Sequence, residues 1–203
     1  MIEKICDYLV MKMKKQLPDI DDEKAEVLNY GLQLIIGEIP KIFLLIILAF
    51  LLGIGPITIL TFLLILPYRM VSGGFHLKTH LGCIVTTSSF YCGIALASNY
   101  LVIEPIYLKY IITIIVWGFG MVMCKLYAPA DTENVPIINK KERRKKQIFS
   151  YIVLTIMMIV AVFINNNTIY NILVLGAFVQ SIFITRMAYK ITNNRYGHEV
   201  YSM

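Results

Sequence analysis

The chain has 203 residues, 58% of them hydrophobic and 16% charged, with a formal net charge of +6. An ordinary soluble domain is about 25% charged, so this balance, with a mean hydropathy of +0.69, excludes a soluble globular fold. The apolar residues also recur in several blocks near the ~20 residues that a helix needs to cross a bilayer, which excludes a single anchor.

Residues 1–29 hold no continuous apolar run, so no cleavable signal peptide is expected. Ile2, Ile5, Cys6, Leu9, Val10, Met13 and Leu17 fall on one helical face, with Glu3, Lys4, Asp7, Lys12 and Lys15 elsewhere. This spacing predicts an amphipathic helix, and its lysines suit an anionic membrane surface. The alternative is a helix packed on the protein's own cytosolic loops. Six spans follow, at roughly 30–52, 55–69, 81–102, 106–126, 148–164 and 169–189. The first carries Glu38 and Lys41 and the second is short, so Ile42 to Leu66 as one helix would leave five.

Charge decides for six. Every one of the 19 Lys and Arg except Lys41 and Lys109 then falls on the side of the N-terminus, and positive loops mark the cytosol. The fold class is therefore all-α: one multi-pass cell-membrane domain over 1–203, with about six transmembrane helices and both termini cytosolic. Residues 1–29 form its cytosolic or interfacial segment, 30–189 its bundle and 190–203 its tail.

Between the second and third spans stands RMVSGGFHLKTHLGC, residues 69–83. Cys83 follows Gly82 at the start of the third span, where unpaired N–H groups and the helix dipole favour a thiolate. His76 is a candidate base for it, and a cysteine with a histidine is the minimum for thiol nucleophilic catalysis. Taken alone, Cys83 is more simply a small apolar residue of a membrane helix. On one straight helix the two side chains would stand ~10 Å apart along the axis, beyond the ~3 Å of proton transfer. A catalytic pair therefore predicts a connection that folds back, which Gly73, Gly74 and Gly82 permit. The competing constellation is His76, His80 and Cys83 at i, i+4 and i+7, three metal ligands on one helical face. The lack of a glutamate after His76, and Lys78 in its place nearby, argue against it, so no metal and no cofactor is expected. Glu38 and Lys41 inside a span suit a rival class, a transporter or channel component, because charges in lipid need a partner or a cavity. Cys6, Cys83, Cys92 and Cys124 show no framework spacing on a reducing side, so no disulfide is expected.

The pattern R-x-x-S-G-G-F-H-x-x-T-x-x-x-C, Arg69 to Cys83, resembles the signature of the accessory gene regulator B (AgrB) family. Those proteins are integral-membrane cysteine endopeptidases of Gram-positive quorum-sensing systems. A second segment, YAPADTENVPI from Tyr127 to Ile137 followed by the basic run Lys140 to Lys146, is similar to another family segment. Length, span number and the order of these elements agree as well. The resemblance implies that Cys83 is the nucleophile and His76 its general base, with Arg69, Gly73, Gly74 and Glu38 supporting the site. It implies a precursor peptide with an amphipathic leader and an acidic C-terminal tail as substrate. Cys83 would form an acyl-enzyme thioester at the tail junction, and a cysteine of the peptide would exchange with it to close a thiolactone. His80 matches no family position. Asp131 and Glu38 are candidates to orient His76, a simple dyad being the alternative.

The run Lys140, Lys141, Arg143, Arg144, Lys145 and Lys146 sets topology in any case, and its charge suits an acidic peptide tail. The expected partners are that peptide, anionic membrane lipid and a second copy of the chain in a homodimer; nucleic acid is not among them.

Overall fold

A computed structural model describes residues 2–16, 22–77, 79–133 and 136–201; at 2–5, 16, 22–23, 26–27, 30–31, 33–35, 38, 80 and 201 it describes the backbone alone. The elements are α1 (Ile2–Gln16), α2 (Asp22–Leu51), α3 (Gly55–Ser72), α4 (His80–Tyr100), α5 (Ile106–Tyr127), α6 (Lys140–Phe163), α7 (Asn167–Phe183), α8 (Arg186–Ile191) and α9 (Gly197–Tyr201). Among the described residues there is no strand; a lone bridge pairs Gly73 with Ala130.

The chain forms two compact units, one up to Leu48 and the other from Ala49. In the first, Asn29 Nδ2 donates to Asp7 Oδ1 at 2.8 Å and ties α1 to α2. The expected amphipathic face of α1 is present: Cys6 and Val10 are buried, Leu9 and Met13 half-buried, and Lys12, Lys14 and Lys15 exposed. The side chains of Ile2, Ile5 and Leu17 lie outside the described residues, as does that of Glu38. α2 begins at Asp22 and not at residue 30, and it carries Pro40 in its interior.

The second unit holds α3 to α9. Its helices start where the chain supplies caps. Pro56 stands in the first turn of α3, where its missing N–H costs nothing. Thr79 Oγ1 accepts from the Gly82 N–H at 3.1 Å, Asn139 Oδ1 from Lys141 at 2.9 Å and Asn166 Oδ1 from Ile169 at 3.0 Å. Each bond satisfies a donor that the helix itself leaves unpaired. α7 packs on α3, α4, α5 and α6 and is buried at Tyr170, Asn171, Ile172, Leu173, Val174, Gly176, Ala177, Gln180 and Ser181. Gly176 admits α3 closely, since a Cβ there would stand 2.4 Å from Ile65 Cδ1.

α3, α4, α5 and α6 are long and apolar enough to cross a membrane, and Ile39–Leu51 and Asn167–Phe183 are shorter apolar helices. Leu63, Ile114, Ile115 and Phe163 are exposed, as a lipid-facing side requires. This is a helical membrane protein whose apolar helices come in the order expected. Two boundaries differ besides the start of α2. The fifth span is the second part of α6, which begins at Lys140, so the basic run is helical and not a loop. The sixth ends at Phe183, because Thr185 Oγ1 accepts from the Ala188 N–H at 3.3 Å and starts α8 instead.

Alternation of direction brings the ends of α3, α5 and α7 and the starts of α4 and α6 to one end of the bundle. Tertiary bonds confirm it, with Gln180 on Ser72 and Gln147 on the Cys124 carbonyl. At the opposite end Asn171 bonds the carbonyls of Ser98 and Leu101, and Tyr170 that of Lys109.

Candidate active site

α3 ends because Gly73 adopts φ 76°, in the left-handed region, with its N–H on the Arg69 carbonyl at 3.0 Å. The turn meets the segment after α5. The Ala130 N–H donates to the Ser72 carbonyl at 2.8 Å, and the Gly74 N–H donates to the Ala130 carbonyl at 2.9 Å. A Cβ on Gly73 would lie 2.2 Å from the Ala130 oxygen, so only glycine fits. The two sequence segments singled out above are thus paired backbone to backbone. Gly74 (φ 146°) then turns the chain, Phe75 is buried with its ring 5.0 Å from that of Phe183, and His76 emerges exposed.

Cys83 sits in the first turn of α4, its N–H on the Thr79 carbonyl at 3.0 Å. All four cysteines are free; Cys6, Cys92 and Cys124 are buried and Cys83 is half-buried. Cys124 is held in the core against Tyr68 Oη at 3.2 Å, with Ser181 Oγ at 2.9 Å from the same hydroxyl. Cys83 is thus the most accessible of the four thiols. His76 belongs to the non-helical connection and not to α4, so the straight-helix separation does not apply. The same fact removes the helical face that was to align His76, His80 and Cys83, because the i, i+4, i+7 spacing requires one continuous helix. The side chain of His80 and all of Lys78 lie outside the described residues.

Gln180 of α7 clasps the end of α3. It is fully buried (0% exposed). Its Nε2 donates to Ser72 Oγ at 2.9 Å and to the Gly73 carbonyl at 2.7 Å, and its Oε1 accepts from Arg69 Nη1 at 3.1 Å. The guanidinium of Arg69 also stands 5.9 Å from the centroid of the Phe183 ring. Arg69, Gly73 and Gly74 meet at the turn with Ser72, which the signature contains but to which no role was given, and with Gln180, which was not foreseen. The signal for Gln180 was a lone amide in an otherwise apolar run, since a buried polar group needs a partner.

Asp131 does not serve His76. Its Oδ1 bonds His198 Nδ1 at 2.6 Å and stands 3.2 Å from Arg143 Nη1 as an ion pair, and its Oδ2 accepts from the N–H groups of Ile137 at 3.0 Å and His198 at 2.8 Å. A carboxylate has about four lone-pair sites; three take hydrogen bonds, and the fourth faces the Arg143 charge as an ion pair without hydrogen-bond geometry. Burial alone would raise the Asp131 pKa, but the Ile137 N–H, His198 and the Arg143 charge together hold it below the usual carboxylate value. His198 thereby pins the C-terminal tail to the loop that touches Gly73. A group with a depressed folded pKa stabilises above its unfolded value, ~3.9, and that contribution is lost as pH falls through the folded value. Asp131→Asn is expected to cost on the order of 3 kcal/mol near neutral pH, as breaking a buried charge pair does. Thermal unfolding in micelles should show the gap between parent and variant closing only below about pH 4.

Beside this cluster lies a cavity of about 400 Å³ lined by Lys125, Lys140, Arg143, Arg144 and Arg186, and by Glu199, which pairs with Arg186 at 2.5 Å. Of the basic run, Lys140, Arg143 and Arg144 share the face that lines it; Lys141, Lys145 and Lys146 do not. Lys125 and Arg186 come from other helices, which periodicity along one helix could not show. Six cations also crowd a helix N-terminus, where the dipole disfavours them. Glu142 answers Lys146 at 3.5 Å and Asp131 answers Arg143, and the rest leave an anion-seeking surface.

The family model described as Accessory gene regulator B matches residues 4–184. A protein of Listeria monocytogenes serotype 4b (strain CLIP80459) that carries an AgrB-like name is 27% identical over 203 residues, covering 96% of this chain and 91% of its own length. Another with such a name, from Clostridium perfringens (strain 13 / Type A), is 28% identical over 167 residues, covering 80% of this chain and 76% of its own. A third, from Listeria innocua serovar 6a, is 26% identical over 200 residues. No solved structure matches this chain.

Proposed function

The chain belongs to the accessory gene regulator B family, and on that premise we propose that it is a membrane cysteine endopeptidase that removes the C-terminal tail of an autoinducer precursor peptide. The observation that supports this reading is that Cys83, in the first turn of α4, is half-buried while Cys6, Cys92 and Cys124 are buried, in the same connection as an exposed His76 whose segment is fixed at its base by the backbone pairing of Gly74 with Ala130. The site lies on the cytosolic side with both termini, because Arg69, Lys125, Lys140 to Lys146 and Arg186 collect at that end.

His76 takes the Cys83 proton, and the sulfur attacks the carbonyl carbon at the tail junction. The C–N bond breaks, the proton passes to the departing tail amine, and the peptide remains as a thioester on Cys83. A cysteine of the peptide then attacks that thioester, closing a thiolactone and returning the Cys83 thiol. Exchange of one thioester for another is almost thermoneutral, so excluding water at a membrane boundary favours the ring over hydrolysis. The acidic tail docks in the cavity lined by Lys125, Lys140, Arg143, Arg144 and Arg186, and the leader lies on the membrane.

The test uses membrane vesicles holding the chain and a peptide with an amphipathic leader, an internal cysteine and an acidic tail. Cleavage should be blocked by iodoacetamide and indifferent to chelators. His76→Ala should slow it by ~10²–10⁴-fold, the usual worth of a general base, and His80→Ala should keep most of it. Inactivation by a chelator with recovery on added zinc would instead establish a metal-dependent protease built on His76, His80 and Cys83.

A further inference from the structure

We infer that Gln180 is the positioning residue of this site: its amide locks the backbone from which His76 projects and so sets the reach of the base to Cys83. The inference rests on the cysteine–histidine reading above.

Chemistry settles which way the amide faces. A guanidinium donates and cannot accept, so Arg69 Nη1 at 3.1 Å requires the Gln180 oxygen on its side. Both N–H bonds then point to the opposite side, at Ser72 Oγ and the Gly73 carbonyl. Arg69 thus orients Gln180, and Gln180 holds the end of α3. One turn along α7, Phe183 covers Phe75 at 5.0 Å. Residues 72–75 are in this way fastened to α7 by an amide and a ring, and to Ala130 by two backbone bonds. His76 is the first exposed side chain beyond the fastened stretch. A residue placed for packing alone would not need three polar contacts at 0% exposure; each unmet one would cost free energy in an apolar bundle.

Gln180→Glu keeps the shape and the bond to Arg69 but has no N–H for the Gly73 carbonyl, and its second oxygen faces that carbonyl. The readout is the pH dependence of Cys83 alkylation by iodoacetamide in membrane vesicles, followed by mass spectrometry of the Cys83 peptide. This needs no substrate. His76→Ala is the reference variant. With the base removed or misplaced, alkylation near pH 7 should fall about tenfold and its rise should move about one unit higher, since a unit in pKa is a factor of ten in thiolate. Gln180→Glu should reproduce that displacement at normal membrane abundance. An unchanged profile in Gln180→Glu, with His76→Ala displaced, overturns the role of Gln180 and leaves the cysteine–histidine site standing. An unchanged profile in His76→Ala overturns the site itself. If Gln180→Glu, Gln180→Asn and Gln180→Met are all missing from the membrane, Gln180 serves the fold and the positioning role is overturned.

Discussion

Cys83→Ala is expected to abolish cleavage of a tailed precursor peptide, by more than ~10⁴-fold, while the protein still inserts in the membrane. Loss of a covalent nucleophile removes the whole route and not one increment of it. Cys83→Ser should fare little better, because an alcohol is a far weaker nucleophile than a thiolate near neutral pH. Cys6→Ala and Cys92→Ala should cleave normally, since both side chains are buried away from any substrate. Cys124→Ala should also keep the chemistry, though it leaves Tyr68 Oη with only Ser181 Oγ as partner. Precursor cleavage in vesicles, normalised to membrane abundance, decides the matter. Full activity in Cys83→Ala would end the peptidase reading and revive a transporter or channel role.

Gly73→Ala should be the most damaging change outside the reacting pair. A methyl group at φ 76° is strained by itself, and here it would stand 2.2 Å from the Ala130 oxygen and 2.9 Å from its carbonyl carbon. Those atoms are backbone and cannot rotate away, so the pairing of Ser72 and Gly74 with Ala130 must open. Strain and lost bonds together are worth on the order of 2–4 kcal/mol. Thermal unfolding in detergent should show that loss, and cleavage should fall with it because His76 is released. Gly93→Ala serves as the comparison, since beyond the adjoining backbone of its own helix nothing lies within 4 Å of a Cβ there and it should be silent. Equal stability and activity in both variants would show that the bridge does not hold the site.

Much of this was legible in one dimension. Hydrophobic blocks and the segregation of Lys and Arg are local sums, so residue types alone determined a helical membrane protein and its apolar segments. Cys83 and His76 stood out because a thiol and an imidazole beside paired glycines are rare company in a greasy chain, and Gly73 and Gly74 announced the turn that the structure contains. Span boundaries were less legible. Lys140 to Lys146 read as a loop because charge resembles solvent-exposed connection, yet Asn139 caps a helix that starts there. The end of α7 was hidden as well, because Thr185 looks like any small residue until its hydroxyl takes the Ala188 N–H.

What only the tertiary structure decided is who meets whom. Gln180 reaches Gly73 across 107 positions, and His198 reaches Asp131 across 67. No period in the chain encodes such a bond; it exists because alternating helices bring the ends of α3, α5 and α7 to one level, where a buried donor must find an acceptor or pay for its desolvation. That requirement took Asp131 from His76, to which the sequence could assign it, and gave it to His198 and Arg143. It also drew Lys125 and Arg186 into the cavity of Lys140, Arg143 and Arg144. Composition and order along the chain determined that there is a bundle with a thiol and an imidazole at one end; the pairing of buried polar groups across helices decided the shape of that end.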